Sequence, residues 1–410
     1  MAEPHAPGAS AGPLSHITVL DLSRSLAGPW AAQVFADFGA SVIKVERPGE
    51  GDECRIWGPP FLEGTEDSPY FLMSNRGKRS ITLDLSRPEA QSIVRRLAER
   101  TDVLIENYKV GGLEKFGLGY DDLKRLNDRL VYCSVTGFGQ TGPRAAQPAY
   151  DFAIQAMSGL MSVTGVPDGA PGGGPQKVGV PIVDIVTGLY AAIGALVGLV
   201  QRERTGSGDH VDLALLDAAI AGISSRVMSY LLSGSVPRRT GNLHPTIQPQ
   251  DAYRCADGNV AIAVGNDIQF VRLCGVIGQE ELPRDARFKT NDARVRNAAV
   301  LAPLLETVFL GWKRDDLVLA LERAGVPVSP INSIAEAVAD PQIAHRRLVR
   351  DAPHRTVAGA PQVGNPLLFK SWGTPDLRAH PGIGEHTGEI LQELGFEPGE
   401  IAQWERDGVL

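Results

Sequence analysis

The chain has 410 residues, a length that at ~150 residues per domain makes two or three domains. Its apolar share of 43% and charged share of 21% are those of a globular protein and exclude a disordered or fibrous one. The formal net charge of −8 lacks the basic excess of a general nucleic-acid binder, so an anionic ligand would have to meet a local gathering of cations.

Residues 1–13 have no apolar stretch of the kind a secretory signal needs and read as a floppy tail. Strand and helix signals then alternate. Short apolar runs at 17–22, 41–45, 103–105 and 130–135 read as strands. Residues 29–38 and 87–100 read as helices, the second with Pro88 in its first turn, where proline is tolerated. Strands separated by helices predict a parallel α/β sheet. Residues 178–200 are almost wholly apolar, and 211–232 carry a second long helical pattern. After a polar loop at 233–250, residues 252–264 predict a hairpin turning at Asp257–Gly258. Residues 267–278 and 315–325 read as helices. From 331 the chain has short helices and a β-like segment, ending in a helix at 385–394. The organisation is therefore a large domain begun by 14–225, a smaller α+β domain at 226–330 and a C-terminal part at 331–410.

The apolar stretch at 178–200 is tested as a membrane span. It contains Pro181 and Asp184, and from Ile185 onward it falls short of the ~20 residues a bilayer needs. Gly188, Ala191, Ala192, Gly194, Ala195 and Gly198 describe instead a helix packed tightly in a soluble core, so no membrane partner is expected. The four cysteines, Cys54, Cys133, Cys255 and Cys274, are scattered without a CxxC. They support neither a zinc ribbon nor a dithiol site and fit free thiols in a reducing, cytoplasmic setting.

Several catalytic motifs are missing. There is no HExxH, and Ser158 lacks the outer glycines of a nucleophile elbow. Gly77-Lys78-Arg79-Ser80 looks like the end of a P-loop, but Leu72 stands where the first glycine belongs. A GxGxxG at 137–142 follows a strand, as in nicotinamide-dependent dehydrogenases. Pro143 and Pro148 leave no helix behind it, so a loop with a close backbone approach is the better reading.

Two carboxylates stand out. Asp184 and Asp151 each start a helical stretch, where aspartate commonly caps free N–H groups. At the end of a buried helix, Asp184 would also be poorly hydrated and kept ionised by the helix dipole, which suits a nucleophile. Arg47, Arg55, Arg76, Lys78, Arg79, Lys109 and Lys115 form a cationic set in the first third. They read either as phosphate ligands or as a solvated surface.

Taken together, these motifs resemble those of the class III CoA-transferases, which include formyl-CoA transferase and carnitine CoA-transferase. The resemblance is carried by VLDLSRSLAGPWAAQVFADFGASVIKVERPGEGD (19–52), SNRGKRSITLDL (74–85), DVLIENYKVGGLEKFGL (102–118) and VYCSVTGFGQTGP (131–143). It continues through PAYD (148–151), GVPIVDIVTGLYAAIGAL (179–196) and GEHTGEIL (384–391). It implies a Rossmann-like large domain built from both chain ends, a smaller domain, and two ring-shaped protomers threaded into a homodimer. It puts the nucleophilic aspartate on Asp184. It puts CoA contacts on Leu26, Ala27, Arg47, Leu83, Asp84, Leu85, Ser86, Asn107, Tyr108, Lys109, Lys115, Pro148, Ala149, Tyr150 and Asp151. Lys115 stands where some members have Arg, which keeps the charge but not the bidentate grip. Formyl-CoA transferase has Glu at the position of Asp151 and a glycine-rich flap without a counterpart here. Residues 241–250 take the flap's place, are closer to transferases acting on succinyl-CoA, and are the candidate lid.

The implied reaction moves CoA from an acyl-CoA donor to a carboxylic acid through an aspartyl anhydride and an aspartyl-CoA thioester. Acyl-CoA and acid are then the partners, and no permanently bound cofactor, ATP or metal is needed. A dicarboxylate acceptor (succinate, glutarate, malate or an itaconate-like acid) would need a cation, for which Arg76, His244 and Arg254 are candidates. The related α-methylacyl-CoA racemases use a His–Asp pair. Their histidine falls on Tyr150, a poor base with an unperturbed pKa of ~10. A racemase-like isomerase and a CoA-binding relative without catalysis are the alternatives.

Overall fold

The computed structural model describes residues 12–410, so the tail expected at 1–13 lies, but for its last two residues, outside the described residues. The chain divides into two compact units. The larger takes the described residues up to Leu160, then Val178–Ser235 and Ala344–Leu410; the smaller takes Met161–Lys177 and Val236–Ile343.

The larger unit is built on six strands: β1 (Thr18–Asp21), β2 (Ser41–Glu46), β3 (Arg79–Thr82), β4 (Val103–Glu106), β5 (Val131–Thr136) and β6 (His210–Ala214). They pair in parallel in the order β3-β2-β1-β4-β5-β6. The expected parallel α/β sheet is thus present. Neighbouring residues on each strand point to opposite faces. Val19, Val42, Val103 and Val131 face one apolar layer and Leu20, Ile43, Leu104 and Tyr132 the other. That two-sided burial explains why the strands read as continuous apolar runs.

Helix α1 (Ala27–Asp37) covers the first face and α2 (Pro88–Ala98) the second. After α3 (Asp151–Met157) comes the long α4 (Ile182–Thr205), which also lies on the first face and against α1. Gly188 makes that approach possible, because a Cβ there would sit 2.6 Å from the Ala27 carbonyl oxygen and 3.0 Å from Trp30. The other side of α4 differs from the expected buried helix. Leu189, Tyr190, Ile193, Val197 and Val200 are exposed. By length and composition alone α4 could cross a membrane, with a mean hydropathy of 2.0.

The single helix expected at 211–232 is three elements. Val211 and Leu213 alternate with polar neighbours in β6, and α5 (Leu215–Gly222) and α6 (Ser224–Ser233) follow, bent by 71°.

The smaller unit has an antiparallel sheet of β7 (Gln250–Arg254), β8 (Asn259–Ala263) and β9 (Val328–Pro330), with the expected turn between the first two. Helices α7 (Asp267–Val276), α8 (Asn291–Arg296), α9 (Ala298–Phe309) and α10 (Arg314–Arg323) belong to the same unit. Its core gathers Phe270, Leu273, Leu301, Leu305 and Leu317. The boundaries expected at 226 and 330 differ from those of the structure. Residues 226–233 remain in α6 of the larger unit. The smaller unit begins at 236 and runs to 343, and it also includes 161–177. Arg239 ties that earlier stretch in through the Ser162 and Val166 carbonyls and the Asp168 carboxylate.

The chain from 344 rejoins the larger unit through a hairpin, β10 (Val349–Ala352) and β11 (Ala360–Val363). Helix α11 (Thr387–Glu393) follows the expected position, but a further helix, α12 (Pro398–Arg406), comes after it. Ile390, Leu391, Leu394 and Ile401 complete the second apolar layer of the sheet.

Candidate active site

The sheet order reverses between β1 and β4. Loops leaving those strands run in opposite directions and open a crevice at their carboxyl ends. Asn107 bridges it: the Arg24 N–H donates to Asn107 Oδ1 at 2.9 Å, and Asn107 Nδ2 donates to the Arg24 carbonyl at 2.8 Å. Ser25 has φ 66°, a left-handed conformation uncommon outside glycine. Its N–H donates to Asp52 at 3.0 Å and its hydroxyl to Glu53 at 2.5 Å, which holds the strained turn in place.

Two adjoining cavities occupy this end of the sheet. The smaller, about 190 Å3, is lined by Leu26, Ala27, Asn107, Tyr108, Lys109, Pro148, Ala149, Tyr150 and Asp184. The larger, about 910 Å3, is lined by Arg47, Leu83, Asp84, Leu85, Ser86, Tyr108 and Lys115. Arg24, Glu53 and Tyr108 belong to both. The structure therefore brings together residues from loops after five strands, whereas Asp151 lines neither cavity.

Asp151 has a different position from the expected cap of its own helix, where Tyr150 is the N-cap residue. Its carboxylate reaches across to α4 and accepts from the N–H groups of Val183 at 2.7 Å and Asp184 at 3.2 Å, and from Gln155 Nε2 at 2.5 Å. The first free donors of α4 are thus satisfied by Asp151, and Asp184 is not the N-cap either, since Pro181 holds that position. The expectation that the helix dipole keeps Asp184 ionised is also corrected. Burial, and then the Asp151 charge, push its carboxyl up to about 7. Near pH 7 the Asp184 carboxyl is therefore only partly ionised.

The cationic set separates by partner. Arg55 forms a double hydrogen bond to Glu46, Arg76 does the same with Asp37, and Lys78 donates to Asp21, all buried. Arg79 is held by Glu389 and Glu393. These four are structural, which also removes Arg76 as a ligand for an acid. Arg47, Lys109 and Lys115 remain exposed at the cavities, Arg47 with only an exposed Glu50 partner.

The glycines at 137–142 form a loop, as read. Gly137 lines the smaller cavity, and a Cβ there would fall 2.5 Å from that of Ala149. The Gln140 N–H donates to Asp212 instead of opening a helix. The expected lid at 241–250 is anchored at its far end. Gln248 and Pro249 are buried, the Gln248 N–H donates to Asn291, and its carbonyl accepts from Arg294 at 2.6 Å. His244 and Arg254 lie in the smaller unit with this segment.

Sequence reasoning passed over two residues of the site. Arg24 and Trp57 line the smaller cavity, and Arg24 follows β1 so closely that strand order alone would have pointed to it. Glu106, the last residue of β4, lines neither cavity but supports Tyr108 from behind: its carboxylate accepts the Tyr108 N–H at 2.7 Å and is pushed by burial to about 7. Among the described residues no cluster able to hold a metal ion is present.

The profile of CoA-transferase family III matches residues 14–387. A succinate–glutarate CoA-transferase of Agrobacterium fabrum is 46% identical over 386 residues, covering 93% of this chain and 96% of that protein. The human succinyl-CoA:glutarate CoA-transferase is 39% identical, over 93% of this chain and 86% of its own. A crystal structure of a CAIB/BAIF family protein from Brucella suis superimposes with a TM-score of 0.84 at 47% identity. It covers 94% of this chain and 100% of that one.

Proposed function

The chain belongs to CoA-transferase family III and is an enzyme that transfers CoA, and from that premise we propose that it moves CoA from succinyl-CoA to a dicarboxylic acid of the glutarate type, with Asp184 as the nucleophile. The observation that carries this reading is the position of Asp184 in the small cavity, beside the large groove. The substrate class is supported by the relatives named for succinyl-CoA and glutarate.

In this mechanism the ionised Asp184 attacks the thioester carbonyl of the donor. A mixed anhydride forms and CoA leaves as the thiolate. The thiolate attacks the aspartyl carbonyl, which releases the donor acid and leaves an aspartyl-CoA thioester. The acceptor carboxylate attacks that thioester and the steps reverse. Every step exchanges one activated acyl bond for another, so no permanently bound cofactor enters. Arg47 and Lys115 face the phosphates of CoA in the large groove, with residues 83–86 beside them. Leu26, Ala27, residues 107–109 and 148–150 surround the pantetheine end and the reacting atoms. Asp151 is a positioning residue that orients the first turn of α4. Water has to be excluded while the anhydride exists, or the transfer becomes hydrolysis.

The racemase reading is weaker. Tyr150, in the histidine's place, is exposed, and no histidine lines either cavity. A 2-methylacyl-CoA incubated in D2O should gain no α-deuterium. The assembly we infer is a homodimer of threaded protomers in the cytoplasm, without a membrane. The exposed apolar residues of α4 and α6 support the dimer, and the four free, buried cysteines support a reducing compartment.

The test is replacement of Asp184. Asp184→Ala and Asp184→Asn should fold, bind CoA and lose several orders of magnitude of transfer. A loss of only ~1 kcal/mol of stability, with activity kept, would mean a structural carboxylate. Borohydride treatment of the wild type during turnover should reduce a thioester at Asp184 to the alcohol, seen as a mass loss on its peptide. A label on Asp151 instead would remove the assignment.

A further inference from the structure

We propose that Arg24 is the residue that selects dicarboxylic acids, by holding the carboxylate of the acceptor that does not react. The proposal rests on the transferase reading above and adds a specificity determinant to it. A dicarboxylate that presents one end to Asp184 needs a cation for the other, and the smaller cavity offers two, Arg24 and Lys109. Neither has an acidic partner among the described residues. By contrast, the arginines Arg55 and Arg355 of the larger groove are engaged by Glu46 and Asp67.

Arg24 is also the better placed of the two. Its backbone is clamped on both its N–H and its carbonyl by Asn107. Its guanidinium carbon lies 5.1 Å from the centre of the Tyr108 ring, a cation–π contact that places the charge without engaging an acidic partner. The next residue, Ser25, is kept at φ 66° by Asp52 and Glu53. A strained residue held by several partners at the mouth of a site marks a constraint that the fold maintains. Here the constraint fixes where Arg24 leaves the chain. Arg24 borders both cavities, so it stands where an acid entering toward Asp184 passes the CoA groove.

The test compares two acids of equal length, glutarate and pentanoate, as acceptors for the wild type, Arg24→Gln and Arg24→Lys, with succinyl-CoA as donor. In a double-displacement reaction the kcat/KM of the acceptor reports only the half-reaction that it enters. Arg24→Gln should lose roughly 10- to 100-fold in kcat/KM for glutarate, the range of a charge-assisted hydrogen bond. It should change less than about 3-fold for pentanoate, and Arg24→Lys should recover part of the glutarate rate. The rise in melting temperature produced by CoA alone should be the same in all three proteins. An equal loss for both acids, or a lost response to CoA, would assign Arg24 to CoA and overturn the proposal while leaving the transferase intact. If the wild type transfers CoA to neither acid, the substrate reading itself falls and the proposal with it.

Discussion

As the proposed nucleophile, Asp184 must be an anion to attack, yet its surroundings favour the acid. With the carboxyl at about 7, the rate of the acyl-transfer step should climb through pH 6–8 and flatten above, and a kcat/KM profile for the donor shows that limb. Asp151→Asn removes the charge that contributes to the shift while keeping an oxygen for the Val183 and Asp184 N–H groups. Its acid limb should therefore move to lower pH. The same shift has a consequence for stability. The folded state holds a proton at Asp184 that an unfolded chain gives up near 3.8, so stability falls as pH rises between about 4 and 7. Asp184→Asn is neutral throughout. It should melt above the wild type at pH 8, and the gap should be clearly smaller at pH 5 and close only below about pH 4. Differential scanning calorimetry at the two pH values measures it, and a variant less stable at pH 8 would contradict the burial of the anion. In the sequence Asp184 was visible as a lone charge in an apolar run. Its neighbour's reach was not, because Asp151 is 33 residues away and its contact with α4 depends on tertiary packing.

At the scale of elements, the contact of α1 with α4 carries the site, since Leu26 and Ala27 stand at the start of one and Asp184 at the start of the other. Gly188→Ala would drive a methyl to 2.6 Å from the Ala27 carbonyl. The helices would have to part, at a cost of about 1–3 kcal/mol. The expected result is a lower melting temperature together with a raised KM for the acyl-CoA donor. Urea denaturation and initial rates read the two effects separately. Strands with apolar residues on both faces were legible, and so was the existence of α4, but not its length: the helix continues past the apolar run through the polar residues 201–205 to reach 24 residues. Element β3 was not, because four residues, RSIT, hold too little pattern to stand out. Nor was the division of 211–232, where a two-residue alternation in β6 gives way to apolar residues all round in α5. Arg24 was passed over for a related reason: its significance comes from Asn107, 83 residues on.

At the scale of the whole molecule, the proposed homodimer rests on the apolar faces of α4 and α6. Leu231 and Leu232 are exposed together with Leu189, Ile193 and Val197. Each helix thus carries exposed large apolar side chains, which the proposed dimer would cover. Replacing Leu231 and Leu232 by Asp should convert a dimer at nanomolar concentration into smaller or aggregated species in sedimentation velocity. A wild type that sediments as a stable monomer would count against the threaded dimer. A different whole-chain feature concerns β3, the outer strand of the parallel sheet. Its cover is supplied by α11: the His386 N–H donates to the Ser80 carbonyl at 2.9 Å, and Thr387 Oγ1 accepts the Thr82 N–H at 3.1 Å. These contacts span 306 and 305 residues. During synthesis the sheet's outer edge therefore stays bare until nearly the entire polypeptide has left the ribosome. At ~5–20 residues per second the wait is on the order of tens of seconds, long enough for a nascent strand edge to recruit the wrong neighbour unless a chaperone shields it.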